Sequence, residues 1–325
     1  MLIIQNNNSN PYFNIASEEY LLKNFEEDIF MLYINNPSII VGKHQNAVAE
    51  VNFPYAHKNK IPVVRRLSGG GAVYHDSGNL NFAFFRNGTE GNLVNFKKFT
   101  EPIIAVLKSM GIDAVLEGKN DLRVNGLKVS GNAEHVFKRR VIHHGTLLFD
   151  SKLELLKQAL EVKQGKYTDK AVQSIRSHVT NISPFLKEDL TTFQFKKKIE
   201  EFIKRTNNNC MEYSFSEQDI SQIEKLQNEK FRTWEWNFGY SPNYVFQNQI
   251  QFKGTRFIVK LSVEKGLIVN HEFGSIEGKV PQVFFKNLKG KYHEIENISE
   301  LVSKYFYNAP VKNNESILEV SYQFF

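Results

Sequence analysis

A single cysteine, Cys210, stands in the 325 residues. That excludes an intramolecular disulfide, a Cys-x-x-Cys redox pair and a cysteine-rich zinc site. No apolar run approaches the roughly 20 residues a membrane helix needs. The apolar start Leu2–Ile4 gives way at once to asparagine, unlike a secretory signal. The expectation is a cytoplasmic protein with no membrane partner. Charge of one sign is also scarce. Lys+Arg at 41 against Asp+Glu at 35 leaves +6, too mild a bias to argue for nucleic acid, and no basic stripe interleaved with stacking aromatics appears. No repeat at a fixed period is visible. What remains is ordinary: 41% hydrophobic and 23% charged residues exclude disorder. The length predicts two domains able to bury cores without staples.

Asn10-Pro11 predicts a helix start, with Phe13, Ala16 and Tyr20 following at helical spacing. Strands are predicted at Ile29–Ile34, Ile39–Val41, Ile61–Arg65, Ala72–Tyr74 and Leu80–Phe85, the last two around an Asp76–Asn79 turn. Phe96, Phe99, Ile103, Leu107 and Met110 line one face of a helix ending at Gly111. A strand-rich block runs from Val115 to Phe149, with a turn at Asn125-Gly126. Helices are predicted at Leu153–Leu160, Thr192–Arg205 and Ser216–Phe231, where Ser216 and Asp219 have capping-box spacing. Beyond a turn-rich Asn237–Pro242 stretch, Tyr244–Phe252, Phe257–Val263 and Leu267–Phe273 alternate as antiparallel strands, and a final helix is predicted near Glu300–Tyr307. The fold class is α+β. A large domain over 1–243 combines mixed and antiparallel sheets with flanking helices, and a small α+β domain covers 244–325.

Three segments carry chemistry. In Arg65-Arg66-Leu67-Ser68-Gly69-Gly70-Gly71-Ala72-Val73-Tyr74-His75-Asp76, three glycines lie between strands behind two arginines. Glycine lets backbone N–H groups approach an anion, and arginine adds bidentate positive donors. A bare glycine triplet is more often a plain hairpin loop. The arginine pair and the His75–Asn79 continuation tip this one toward anion binding, although it is neither a dinucleotide fingerprint nor a Walker loop. In Asn120-Asp121 through Lys128-Val129-Ser130-Gly131, the amide and carboxylate suit Mg²⁺ or a ribose, and Lys128 suits charge stabilisation if its strand lines a cleft. An isolated lysine is ordinarily a solvated surface charge, so the case for Lys128 rests on these neighbours. In His143-His144-Gly145, adjacent histidines on a strand face opposite sides and do not ligate one metal together. One is expected in the core and the other toward the cleft.

These segments, with Asn10–Glu19, Val41–Asn46, Ser174–Asn181 and Trp234–Gly239, are collinear along the chain. Together they resemble the lipoate–protein ligase A family of the biotin/lipoate ligase superfamily. The resemblance implies a two-step reaction. Free (R)-lipoate attacks the α-phosphate of ATP to give lipoyl-AMP and pyrophosphate. A lysine of an acceptor domain then takes the lipoyl group and releases AMP. It implies ATP and Mg as cofactors. As partners it implies lipoyl-acceptor domains, namely the E2 subunits of 2-oxoacid dehydrogenase complexes and the glycine cleavage H protein. A monomer is the default.

By resemblance, Arg66 contacts the activated intermediate and Gly71, Ala72, Val73 and Tyr74 bind ATP. Lys128 is catalytic and contacts both nucleotide and lipoyl group, while Asn120 and Asp121 lie by the phosphates and any Mg²⁺, with Asp121 the metal candidate. Ser68, Gly69, Gly70, His75, Asn79, Ser130 and His144 are secondary candidates, and Val41, Leu67 and Ala133 are candidates for an apolar tunnel. The alternatives are a lipoyl or octanoyl transferase lacking adenylation, and a non-catalytic binding module. The first would need Cys210 as nucleophile if it moved octanoyl groups, and the second predicts loss of the Arg or Lys positions, both of which are present.

Overall fold

The computed structural model describes residues 1–88, 94–162, 165–175, 177–278, 282–307 and 315–325. The chain folds into two compact units. The first comprises Met1–Lys43, Pro62–Lys157 and Ser174–Thr233, and the second His44–Ile61, Gln158–Gln173 and Trp234–Phe325. A single cut at 243 therefore leaves two short stretches with the wrong neighbours. Tyr167–Asp169 pairs antiparallel with Tyr244–Phe246, and the Phe53 ring stacks on Phe325 at 4.5 Å. A three-residue strand and a six-residue helix carry too little pattern to be assigned from sequence.

In the first unit, an eight-stranded mixed sheet among the described residues has the order Met211–Ser214, Leu2–Gln5, Ile29–Ile34, Asn79–Asn87, Arg140–Leu148, Leu127–Phe137, Asp121–Val124, Val115–Glu117. The two pairings of Leu2–Gln5 are parallel and the rest antiparallel. Asn125 and Gly126 both have positive φ, 51° and 77°, which the tight hairpin there requires. Phe82, Phe84, Phe99, Ile103 and Leu107 pack the helix Phe96–Ser109 on one face of this sheet. Each such side chain contributes about 1.5–3 kcal/mol by burial, and Phe84→Ala alone is expected to cost about 3–5 kcal/mol.

The helix Pro11–Asn24 begins as its sequence predicts, with Asn10 accepting from Tyr12 N and Pro11 in the first turn. The Ser216–Asp219 capping box is also formed, although the helix it starts runs only over Glu217–Leu226 before a π-helical turn, Gln227–Phe231. A three-stranded sheet, Val63–Arg65, Ser38–Val41, Val73–His75, completes this unit.

The second unit carries Tyr167–Asp169, Tyr244–Phe252, Thr255–Glu264 and Leu267–Glu277 as a four-stranded antiparallel sheet with helices Gln282–Leu288, Ile295–Val302 and Glu315–Ser321. The helix expected at Glu300–Tyr307 starts five residues earlier, because Ile295 and Ile298 join Leu301 and Val302 in the core. The start of the turn-rich Asn237–Pro242 stretch falls in a π-helical turn, Glu235–Gly239, in which Gly239 lies under the Trp234 ring. No helix among the described residues is long and apolar enough to cross a membrane.

Candidate active site

The glycine segment links the two outer strands of the small sheet, Val63–Arg65 and Val73–His75, across the middle strand Ser38–Val41. Its two arginines are both buried, contrary to solvated loop cations. Arg65 Nη1 donates to Gly42 O and Lys43 O at 2.9 and 3.0 Å, a structural role. Arg66 holds the loop itself. Its Nε donates to Ser68 Oγ at 3.0 Å, Nη1 to Ile40 O at 3.2 Å, and Nη2 to Gly69 O and Gly71 O at 2.6 and 2.9 Å. Burial pulls the Arg66 pKa down to about 10, with Glu18 and Tyr33 opposing, so it stays charged at neutral pH.

Gly69 to Val73 are the accessible part of the loop, while Tyr74 is core. Gly70 has φ +89°, and a side chain on Gly71 would press against Ser174. Ser174 Oγ accepts from Ala72 N at 3.0 Å.

Ser68 continues the network. Its Oγ lies 2.5 Å from His144 Nε2, and His144 Nδ1 lies 2.8 Å from Glu18 Oε2. Tyr33 OH donates to Glu18 Oε1 at 2.9 Å; burial and then Glu18 hold the Tyr33 hydroxyl protonated, well above its usual range. Because Ser68 accepts from Arg66, its own proton goes to His144 Nε2, and His144 donates to Glu18. Glu18 is thus the counter-charge of a buried arginine, reached through two side chains. Ser, His and Glu here have the spacing of a nucleophile, base and orienter. Yet Ser68 is 1% exposed and its oxygen is engaged by a guanidinium, so the trio braces Arg66.

His75 Nδ1 accepts from Asn35 Nδ2 at 2.9 Å. Burial, then the charges of Arg66 and His144, push its pKa down to about 3, so it is neutral. Asn79 is buried and donates to Asn81 Oδ1 at 3.0 Å, a strand-internal role.

The second half lies on the Asp121–Val124 and Leu127–Phe137 hairpin. Lys128 Nζ is 2.8 Å from Asp121 Oδ1, and Arg123 Nη2 is 3.3 Å from Asp121 Oδ2. The Lys128 side chain passes 3.3 Å from where a Gly131 Cβ would stand, so glycine keeps its path open. Asn120 Nδ2 donates to Asn132 O at 3.0 Å, leaving Oδ1 as its acceptor end. Ser130 is buried and accepts from Asn132 at 3.3 Å.

The Ser174–Asn181 segment touches both halves. Ser174 covers the glycine loop, while Lys128 N donates to His178 O at 3.0 Å and Thr180 N donates to Lys128 O at 2.9 Å. Arg176 of that segment lies outside the described residues. All the candidate residues fall in the first unit. Glu18, Tyr33, Asn132 and Glu134 were missed by sequence reasoning, because an isolated Glu or Asn carries no local signal. Cys210 stands apart. Its thiol donates to Asn207 O at 3.3 Å and packs at the edge of the core.

Comparison with known proteins gives a consistent result. Residues 10–204 match the family described as Lipoyl protein ligase A/B catalytic domain. The chain is 44% identical over 310 residues to Lipoate–protein ligase 1 of Staphylococcus aureus, covering 94% of each. Among solved structures, P. falciparum LipL1 in complex with lipoate aligns with a TM-score of 0.62 at 27% identity, covering 99% of this chain and 98% of that one. A lipoate-protein ligase A bound with ATP aligns at 0.63 and 26% identity, covering 74% of this chain and 98% of that one. A matched family model over more than half the chain, near-complete coverage by a 44% identical relative and the shared fold agree: the chain belongs to the lipoate–protein ligase family.

Proposed function

We propose that the chain is an ATP-dependent ligase that activates free (R)-lipoate as lipoyl-AMP and passes the lipoyl group to a lysine of an acceptor domain. The observation that carries this is the pairing of a preformed glycine loop, closed around Arg66, with the Asp121–Lys128 ion pair, one segment being hydrogen-bonded to both. Two solved relatives, one with lipoate and one with ATP, support the same substrates.

In the first half-reaction a lipoate carboxylate oxygen bonds to the α-phosphorus and the bond to the pyrophosphate oxygen breaks. The backbone of the accessible Gly69–Gly71 stretch approaches the phosphates, and Lys128 leaves Asp121 to face the charge that gathers on phosphate and carboxylate oxygens. In the second, a neutral acceptor amine attacks the lipoyl carbonyl, AMP leaves, and the amine's proton is lost. Lys128 works as the ammonium, since a neutral amine there would compete with the acceptor. The chain forms no covalent bond and contributes positioning and charge.

Among the described residues no three His, Cys, Asp or Glu side chains come together. Mg²⁺ is ordinarily held by one or two carboxylates plus substrate phosphates. Asp121, with the Asn120 amide oxygen, would hold it, and bound there it would neutralise phosphate charge. The acceptors we propose are E2 lipoyl domains and the glycine cleavage H protein, in the cytoplasm, with the chain acting as a monomer. Val41 and Leu67, both buried, and Ala133 are proposed to line the lipoyl tunnel.

The experiment is incubation of the chain with lipoic acid, Mg-ATP and an apo acceptor domain, read as the acceptor's intact mass, beside a reaction given lipoyl-AMP. A gain of one lipoyl group from acid plus ATP is expected. A gain from lipoyl-AMP alone would reduce the chain to a transferase.

A further inference from the structure

The neighbouring histidines have each found a buried carboxylate on opposite faces of the sheet. His144 serves Ser68 and Arg66, and His143 leads elsewhere. Its Nδ1 lies 2.8 Å from Glu134 Oε1 and its Nε2 3.3 Å from Asn132 Oδ1. Asn132 is welded to the residue before Asp121. Its backbone N–H and its Nδ2 both donate to Asn120 O at 2.9 Å, and Asn120 Nδ2 donates back to Asn132 O at 3.0 Å. The strand register sets this up, His143 facing Glu134 and Gly145 facing Asn132. A Cβ on Gly145 would strike both Asn132 Oδ1 and the Phe82 ring, so the glycine leaves the space in which the amide lies.

Committing Nδ2 to Asn120 turns Asn132 Oδ1 toward the ring. Both ring nitrogens of His143 then face acceptors, Glu134 Oε1 and Asn132 Oδ1; burial pushes the ring's pKa down, and Glu134 pulls it partly back up. The side chains are 0% and 2% exposed, and the ring stacks on Phe99 at 5.1 Å and Phe82 at 6.1 Å. Burial of a pair like this does not by itself stabilise a core, and apolar replacement of both partners is often neutral or better. Its geometry has a direction instead: one ring nitrogen is aimed at the amide that fixes Asn120.

We infer that Glu134 and His143 are positioning residues, which lock the Asn132 amide and thereby set the Asn120–Asp121 turn and, through Asp121, the resting place of the Lys128 ammonium. This rests on the reading that the turn takes the nucleotide phosphates. Neither residue touches substrate.

The test compares three variants with the parent chain. Glu134→Leu/His143→Phe keeps the volume and the stacked ring and leaves no buried charge. Glu134→Gln can donate to Nδ1, which leaves the ring's proton on Nε2 facing Asn132. Asn132→Ala cuts the link without altering the pair, and stands in if the double variant does not fold. Amide exchange at Asn132 and KM for ATP and for lipoate in lipoyl-AMP formation are measured.

The double variant and Asn132→Ala should exchange about tenfold faster and show an about tenfold higher KM for ATP, the equivalent of one lost hydrogen bond. KM for lipoate, and both readouts in Glu134→Gln, should stay within about twofold. Unchanged exchange in a folded variant overturns the bracing whatever the ligase activity. Faster exchange with an unchanged KM for ATP overturns its link to catalysis. A parent chain that makes no lipoyl-AMP sinks the proposed activity and the link to it together, while exchange alone still decides the bracing.

Discussion

Arg66 and Lys128 are two cations of one candidate site held in opposite ways. Arg66 is 7% exposed and spends its N–H groups on four acceptors of its own neighbourhood, three of them in the loop it closes. Lys128 has a side chain 23% exposed and, among the described residues, one carboxylate partner, which it shares with Arg123. The first is part of the architecture and cannot move without undoing the loop. For the second to leave its partner, as the proposed mechanism requires, would break only a partly exposed ion pair, worth about 0–1 kcal/mol. The mechanism proposed above keeps the loop rigid while the Lys128 charge follows the substrate, and so calls for both kinds.

The contrast is sharpest if Arg66 is removed. Arg66→Ala should lose about 3–5 kcal/mol in urea unfolding, since it strands buried carbonyls and the Glu18 charge. Lipoyl-AMP formation should fall about a thousandfold or more. Arg66→Lys should recover little, because an ammonium cannot span a planar fork's acceptors. A variant that unfolds at the parent's urea midpoint would erase the distinction.

Lys128→Ala should do the reverse, lowering kcat by about 10²–10³ while stability stays within about 1 kcal/mol. A stability loss matching that of Arg66→Ala would break the comparison from the other side.

Acid should report the buried half, with a contribution of the same sign from the second unit. His75 protonates near pH 3 when folded and near 6.5 when unfolded. Between those values the unfolded chain binds more protons, so stability is intact above 6.5 and is lost as pH falls through that window. The slope is at most about 1.4 kcal/mol per pH unit per group. His293, pushed down to about 4 by burial in the second unit, adds the same sign there. Urea midpoints at pH 7, 6 and 5 should fall in order, and more shallowly in His75→Asn. A midpoint flat across the series would contradict the burial argument.

The smallest effect is expected at Glu117, 3.4 Å from Arg123 and 59% exposed. Glu117→Ala should change stability by less than about 0.5 kcal/mol and leave kcat within about twofold.

Much of this site is legible in the sequence because its parts are local. Gly69–Gly71, Asn120-Asp121 and Lys128 stand in short runs whose chemistry their neighbours declare. The alternation rule puts the two histidines on opposite faces, and the structure turns His143 inward and His144 toward Ser68. What stays hidden is what depends on distance along the chain. Glu18 meets His144 across 126 positions and Ser68 meets His144 across 76. The two arginines look alike in sequence, and only the carbonyls of Gly42 and Lys43 separate Arg65 as a structural residue. The second unit's discontinuity has the same origin, since Tyr167–Asp169 is too short to announce a sheet that is otherwise built beyond residue 243.

The parallel strand pair at the sheet's end sets a timetable for synthesis. Leu2–Gln5 lies between Ile29–Ile34 and Met211–Ser214. The first neighbour leaves the ribosome almost with it, while the second follows after roughly 10–40 s at ordinary elongation rates. For that interval the strand Leu-Ile-Ile-Gln shows a bare hydrogen-bonding edge to every other nascent chain nearby. The cell's yield of this enzyme should therefore depend on how quickly ribosomes cross the stretch before Met211, and slowing them there should send product into aggregates while leaving the finished molecule unaltered.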